Sequence, residues 1–177
     1  MARKILLPLT TVLAAGAIAV GSGATFTSST GNTISSVTSG TLTHSNTKDK
    51  QAIFNLTNLK PGDVLNGTLT LKNTGSLGAD FSLTEVSSSN GFTGSNLSLD
   101  IVDVTAPAAP VSVYSGTFGG LADGTKNALG TWASGAEHTF RFTVKLDKDA
   151  PNADQGKTAG ATYAWDSVQT AAETTNQ

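Results

Sequence analysis

Beyond residue 24 the apolar positions of this chain recur at every second residue, with polar residues between them. Residues 51–56 place Ala52, Phe54 and Leu56 in step, and residues 64–71 align Leu65, Leu69 and Leu71. Residues 79–86 align Phe81 with Leu83, and 96–104 align Leu97, Leu99 and Ile101. Residues 138–146 carry Phe140, Phe142, Val144 and Leu146 in unbroken alternation, and 158–168 carry Ala161, Tyr163 and Trp165. Successive side chains of a strand point to opposite faces, so each run predicts a strand with one face in the core and one in solvent. No 3.6-residue period is sustained, and Gly or Pro interrupts most windows.

Turn chemistry separates the runs. Lys60-Pro61-Gly62-Asp63 suits a type II turn, with Pro fixing φ at the second position and Gly taking positive φ at the third. Asn73-Thr74-Gly75-Ser76 fits a hairpin tip joining the two runs on either side. Ala122-Asp123-Gly124-Thr125 is a further turn. Residues 105–135, rich in Ala, Gly and Pro, predict loops and short strands, with one short helix over 121–129. Seven or eight short strands with regular turns predict an all-β chain, an antiparallel β-sandwich of jelly-roll type spanning 41–170.

Two segments stand outside this pattern. Ala2-Arg3-Lys4 precedes a nearly continuous apolar run over 5–20, and Gly21-Ser22-Gly23-Ala24 follows. A basic start, an apolar middle and small residues at the cut predict a signal peptide over 1–24, cleaved after Ala24. The run is shorter than the ~20 residues of a spanning helix, so no membrane association is expected once it is removed. Residues 25–40 hold strong strand formers but only Phe26, Ile34 and Val37 as large apolar residues. Such a segment is either a disordered terminus or a donated strand that completes the sheet of a neighbouring subunit. In the second reading Phe26, Ile34 and Val37 are the interface residues. Residues 171–177 form a polar tail.

Composition narrows the function. Among 177 residues there are 18 Ser, 27 Thr and 19 Gly, and only 14% are charged. The absence of Cys excludes a disulfide scaffold and a thiolate zinc site. A net charge of −2, falling to −4 without Arg3 and Lys4, gives no footing for nucleic acid. His44 and His138 are the only imidazoles, and no His-Glu-x-x-His, Gly-x-Ser-x-Gly or phosphate-cradling loop occurs. Asp147, Asp149, Asn152 and Asp154 have oxygen-ligand character, but Pro151 and the lack of a closing Glu break the calcium-loop pattern. Asn55, Asn66 and Asn96 match the glycosylation pattern. No catalytic, cofactor or metal residue is therefore expected. Trp132 and Trp165 read as core or rim.

Ser39-Gly40-Thr41-Leu42, then Asn55-Leu56-Thr57-Asn58-Leu59-Lys60-Pro61-Gly62-Asp63, then Leu71-Lys72-Asn73-Thr74-Gly75-Ser76-Leu77 form a series that resembles the TasA/camelysin family of exported proteins. Asp149-Ala150-Pro151-Asn152 with Gln155-Gly156 is similar to that family's last loop. The resemblance implies a jelly-roll sandwich and a secreted matrix or surface fibre subunit. Its partner would be a further copy of itself, entered head to tail by the N-terminal strand. The family also carries a metalloprotease label, which two His and no zinc motif support little. The Lys-rich insertion of TasA proteins is absent here. The alternatives are a monomeric surface module binding ligands through 105–135 and, behind it, a secreted metalloprotease. The sequence names no minor or anchoring subunit.

Overall fold

The computed structural model describes residues 26–30, 33–37, 39–53 and 59–171. The expected signal peptide lies outside these residues, as do Phe54, Leu56 and most of the polar tail. The chain divides at Gly40 and Thr41 into two compact units. In the first, β1 (Phe26–Thr30) and β2 (Thr33–Val37) pair antiparallel, Phe26 opposite Val37 and Ser29 opposite Ile34. The segment read as one donated strand is thus a self-paired hairpin.

The second unit is an antiparallel sandwich. One sheet has five strands: β3 (His44–Asn46), β4 (Val64–Asn73), β9 (Glu137–Leu146), β6 (Leu97–Asp103) and β7 (Val111–Thr117), in that order. The other has three: β10 (Ala159–Gln169), β5 (Ala79–Asn90) and β8 (Lys126–Trp132). From β4 onward every connection except β6 to β7 crosses from one sheet to the other, the connectivity of a jelly-roll-like sandwich. The inward residues are those that alternate in the sequence: Leu69, Leu71, Phe81, Leu83, Leu97, Leu99, Ile101, Phe140, Phe142, Val144 and Leu146 are all buried.

Ring contacts join the sheets. Trp132 stacks on Phe81 at 3.9 Å and on His138 of the facing sheet at 4.1 Å. Trp165 packs on Phe140 at 5.2 Å, and Tyr163 on Phe142 at 5.4 Å. Trp132 is therefore core, 3% exposed, and Trp165 is half-buried against it.

Three expectations are corrected. No helix forms over 121–129: β8 occupies its second half, and Gly124 at φ +74 makes a turn closed by Thr125 N–H to Ala122 O at 3.0 Å. Residues 73–76 are not a hairpin tip, because β4 and β5 lie in different sheets. They are a corner held from inside. Asn73, fully buried, donates through Nδ2 to Leu77 O at 2.9 Å and to Trp132 O and Ala133 O at 3.2 Å. Its Oδ1 accepts from Gly75 N–H at 3.1 Å. Within 51–56, the described residues 51–53 form no strand. They cross Gly67 of β4 so closely that a Cβ there would lie 2.6 Å from Ile53 O. The Lys60–Asp63 turn is as expected, with Gly62 at φ +90 and Asp63 N–H bonded to Lys60 O at 2.9 Å.

Removing the Asn73 amide would leave a turn N–H and several carbonyls without their partner inside the sandwich. Asn73→Ala is expected to lower stability by about 2–4 kcal/mol, read as a fall in denaturation midpoint with an unchanged denaturant slope.

Candidate functional site

The unequal sheets leave a groove. β10 pairs with β5 on one side only, and among the described residues its other edge carries no ladder. Along that edge runs a groove of about 550 Å³, walled by Ala161, Tyr163 and Trp165 on one side and by Gln51, Ala52 and Ile53 on the other. A second cavity of about 810 Å³ opens among Leu65, Phe92, Leu97, Leu146 and Pro151. Phe118 and Ala159 line both, so the two meet. The register places the second cavity at the end of the sandwich where Val64 meets Lys145, Leu97 meets Leu146 and Ala159 meets Asn90, and the groove runs from there along β10 as far as His44, opposite Asn73.

The chain enters the sandwich at the other end. Residues 41–43 are clamped to the 74–77 corner: Ser76 N–H bonds Thr41 O at 3.0 Å, and Thr74 and Gly75 N–H both bond Thr43 O at 3.0 Å. Thr41 N–H is bound in turn by Ser76 Oγ at 2.8 Å. Gly75 is required here, since a Cβ would lie within 2.9 Å of Thr43 N. The second unit therefore begins at the corner end, with residues 41–43 fixed there.

Of the residues expected at the interface, Phe26 and Val37 stand opposite each other in the β1–β2 register, while Ile34 is opposite Ser29, one step out of phase. On a continuous strand Phe26 and Ile34 share a face and Val37 falls on the other. The three fill one row of pockets only if the strand is bulged or reversed between Ile34 and Val37. The groove beside β10 was not legible in the sequence, because it depends on which strand ends a sheet.

Beneath the groove lies a polar interior that the alternation pattern conceals. Glu85 occupies the inward position after Phe81 and Leu83 and is fully buried, with neither carboxylate oxygen hydrogen-bonded. Burial, reinforced by the charge of Glu85, raises both the Tyr163 and the Tyr114 phenols above their ordinary value of 10.0. The Tyr163 hydroxyl is buried without a geometric partner.

The other polar candidates are structural. Asp154, a buried carboxylate, accepts from Thr93 N–H at 2.8 Å, Thr93 Oγ1 at 2.7 Å and Asn96 Nδ2 at 2.7 Å. These bonds, Asn96 first, hold its carboxyl below the ordinary value. Asp147 Oδ1 accepts from Asp149 N–H at 2.8 Å, and Asp149 pairs with Lys148. Asp147 and Asp149 are thus engaged within their own loop, and Asp154 ties that loop to the 93–96 turn. Asn96 is engaged by Asp154, and Asn55 lies outside the described residues. His44 Nδ1 meets Ser167 Oγ at 3.0 Å and His138 Nδ1 meets Asp103 Oδ2 at 2.7 Å. The rings of Phe81 and Trp132 stand between the two His. The imidazoles cannot converge on one ion, and among the described residues no three of His, Asp and Glu come together to hold a metal.

The Asp103–His138 pair sets a pH dependence. Burial alone would raise Asp103, but hydrogen bonds from Thr105 and His138 outweigh it and hold the carboxyl below 3.8. A carboxyl depressed by folding stabilises the fold above its unfolded value, and that contribution is lost as the pH falls through the folded one. Asp103→Asn is expected to cost about 1–2 kcal/mol near pH 6. The difference from wild type should shrink steadily below about pH 4, read by denaturation midpoints across a pH series.

Among curated proteins no match is found. A family model described as camelysin metallo-endopeptidase matches residues 2–102. The match spans both the Lys60–Asp63 turn and the Asn73 corner and bears out the resemblance to TasA/camelysin proteins. Its description names a peptidase, against which stand two imidazoles kept apart by the aromatic stack. The chain belongs to the camelysin metallo-endopeptidase family.

Proposed function

We propose that this protein is an exported structural subunit that polymerises head to tail outside the cell. The segment 25–40 of one copy, with Phe26, Ile34 and Val37 as its apolar residues, completes the sandwich of the next. The observation that carries the reading is the placement of root and groove. The chain enters the sandwich at the Asn73 corner, and the groove beside the edge of β10, unladdered among the described residues, runs from His44 near that corner to Ala159 at the opposite end. A strand of one subunit seated in the groove of the next joins two different surfaces, a heterologous link that need not close on itself and so can give a filament. Backbone ladder bonds supply the register of such a link, and shallow pockets suit a strand made mostly of Ser and Thr.

No helix among the described residues is long and apolar enough to cross a membrane, in keeping with export after removal of residues 1–24. We read the subunit as acting without a cofactor and without enzymatic activity. The peptidase description of the family supplies the competing reading, and a casein-cleavage assay with and without chelator is its control. No chelator-sensitive cleavage is expected.

The deciding experiment is electron microscopy of the mature chain beside a version lacking residues 25–36. Filaments are expected from the first and none from the second. Filaments from both would refute the N-terminal link. Filaments from neither would return the monomeric surface module to first place. The filaments should also withstand denaturant well beyond the midpoint of the free subunit, because unfolding then requires extraction of a strand.

A further inference from the structure

Residues 51–53 line the groove beside β10 and lie against Gly67 of β4, yet they form no strand. They share the groove wall with β10. Among the described residues no backbone hydrogen bond joins them to it: the Gln51 N–H instead bonds Lys48 O at 2.9 Å, back into the preceding turn. The sequence of 51–56 nevertheless alternates like a strand. What holds 51–53 in place is a steric allowance in β4. Gly67 is a buried position between Leu65 and Leu69 in the inward row. An ideal Cβ there would lie 2.6 Å from Ile53 O and 3.0 Å from Ile53 Cγ2. Glycine within a strand marks close approach of another backbone, and the backbone here is that of Ile53. At the base of the segment Lys50 has φ +55, the only non-glycine residue at positive φ among those described. That conformation is disfavoured for an L side chain, so the segment is held in place against local strain.

We propose that residues 51–53 are a strap that covers the groove beside β10 in the free subunit and swings out, about Lys50, when the N-terminal strand of a second copy takes its place. The inference rests on the assembly reading above and adds its control. The strap contributes the apolar contact of Ile53 but no ladder. An incoming strand contributes the same kind of contact and the ladder as well, so exchange runs toward assembly. Until then the strap guards an edge of eleven residues against indiscriminate pairing. The expected signature is a lag before filament growth, set by opening of the strap.

The test uses full-length mature protein. Gly67→Ala places a methyl group 2.6 Å from Ile53 O and should expel the strap without altering the sequence of β10 or the N-terminal segment. Ile53→Ser weakens the strap's hold and leaves the backbone of β4 unchanged, so it decides the matter should Gly67→Ala fold poorly. Light scattering should show the lag shortened several-fold in both. Hydrogen exchange read by mass spectrometry should show 51–53 exchanging faster in filaments than in free subunits, while β10 exchanges more slowly. Wild-type filaments with a lag that Ile53→Ser leaves unchanged would overturn the strap and spare the fibre reading. Equal or greater protection of 51–53 in the filament would do the same. Absence of filaments from wild type and both variants would overturn the fibre reading itself, and the strap with it.

Discussion

Five strands face three across this sandwich, and the rest of the structure follows from the mismatch. The inner face of the larger sheet is apolar along all of β4, β9 and β6, and apolar sheet faces must be covered. Phe81 of β5 packs on His44 of β3 and Trp132 of β8 on His138 and Phe140 of β9, while Tyr163 and Trp165 of β10 pack on Phe142 and Phe140 of β9. At the corner end the smaller sheet reaches past β4 to β3, where His44 meets Phe81 at 5.7 Å and Ser167 Oγ at 3.0 Å, and irregular chain packs farther along β4. Its inner row of Leu65, Gly67 and Leu69 is covered by irregular chain, with Ile53 on Gly67 and Leu59 and Phe118 against the core. Coverage by irregular chain satisfies the hydrophobic requirement but, among the described residues, gives the outer edge of β10 no ladder partner. The groove is the geometrical remainder of that arrangement.

An edge left open is normally blunted. β3, the edge of the larger sheet beside the groove, is only three residues long. β10 is eleven residues long, and its ladder with β5 is bulged on the β5 side, where Val86 is the extra residue opposite Thr162 and Tyr163. The bulge also reverses which residues of β5 face inward, just after Glu85. This buried carboxylate is the one inward position of β5 that an apolar residue would fill more cheaply, since burying an unpaired polar group destabilises. It lies where Tyr163 borders the groove, so the least satisfied part of the interior adjoins the least finished part of the sheet.

Much of the architecture was legible because the alternation is strict where both neighbours are ladder partners. Phe140, Phe142, Val144 and Leu146 in β9, at the centre of its sheet, could be read as core directly. Legibility failed where a residue's role depends on a distant backbone. Asn73 reads as turn chemistry, and its place as the interior anchor of a corner depends on carbonyls at Trp132 and Ala133. Gly67 reads as a weak point in a strand until Ile53 is seen against it. Residues 51–53 have the right period and no partner, and period alone does not create a ladder. The same limit applies to Phe26, Ile34 and Val37. Their spacing marks them as the apolar residues of the arm, but only the hairpin register reveals that Ile34 is out of phase with Val37.

The hairpin makes exchange thermodynamically plain. A two-stranded ribbon is marginal in water by itself, because it has two edges and no covered face. Moving one of its strands to the edge of β10 trades backbone hydrogen bonds one for one, so their number contributes little to the balance. The balance is decided by apolar area, and a fully buried Phe, Ile or Val side chain is worth roughly 1.5–3 kcal/mol. Two such residues in phase can outweigh the loss of translational freedom only when the docked strand is long and held at its root. The clamp of residues 41–43 on the 74–77 corner supplies the second condition. In the proposed filament it would fix where the arm begins and confine its search for the next groove.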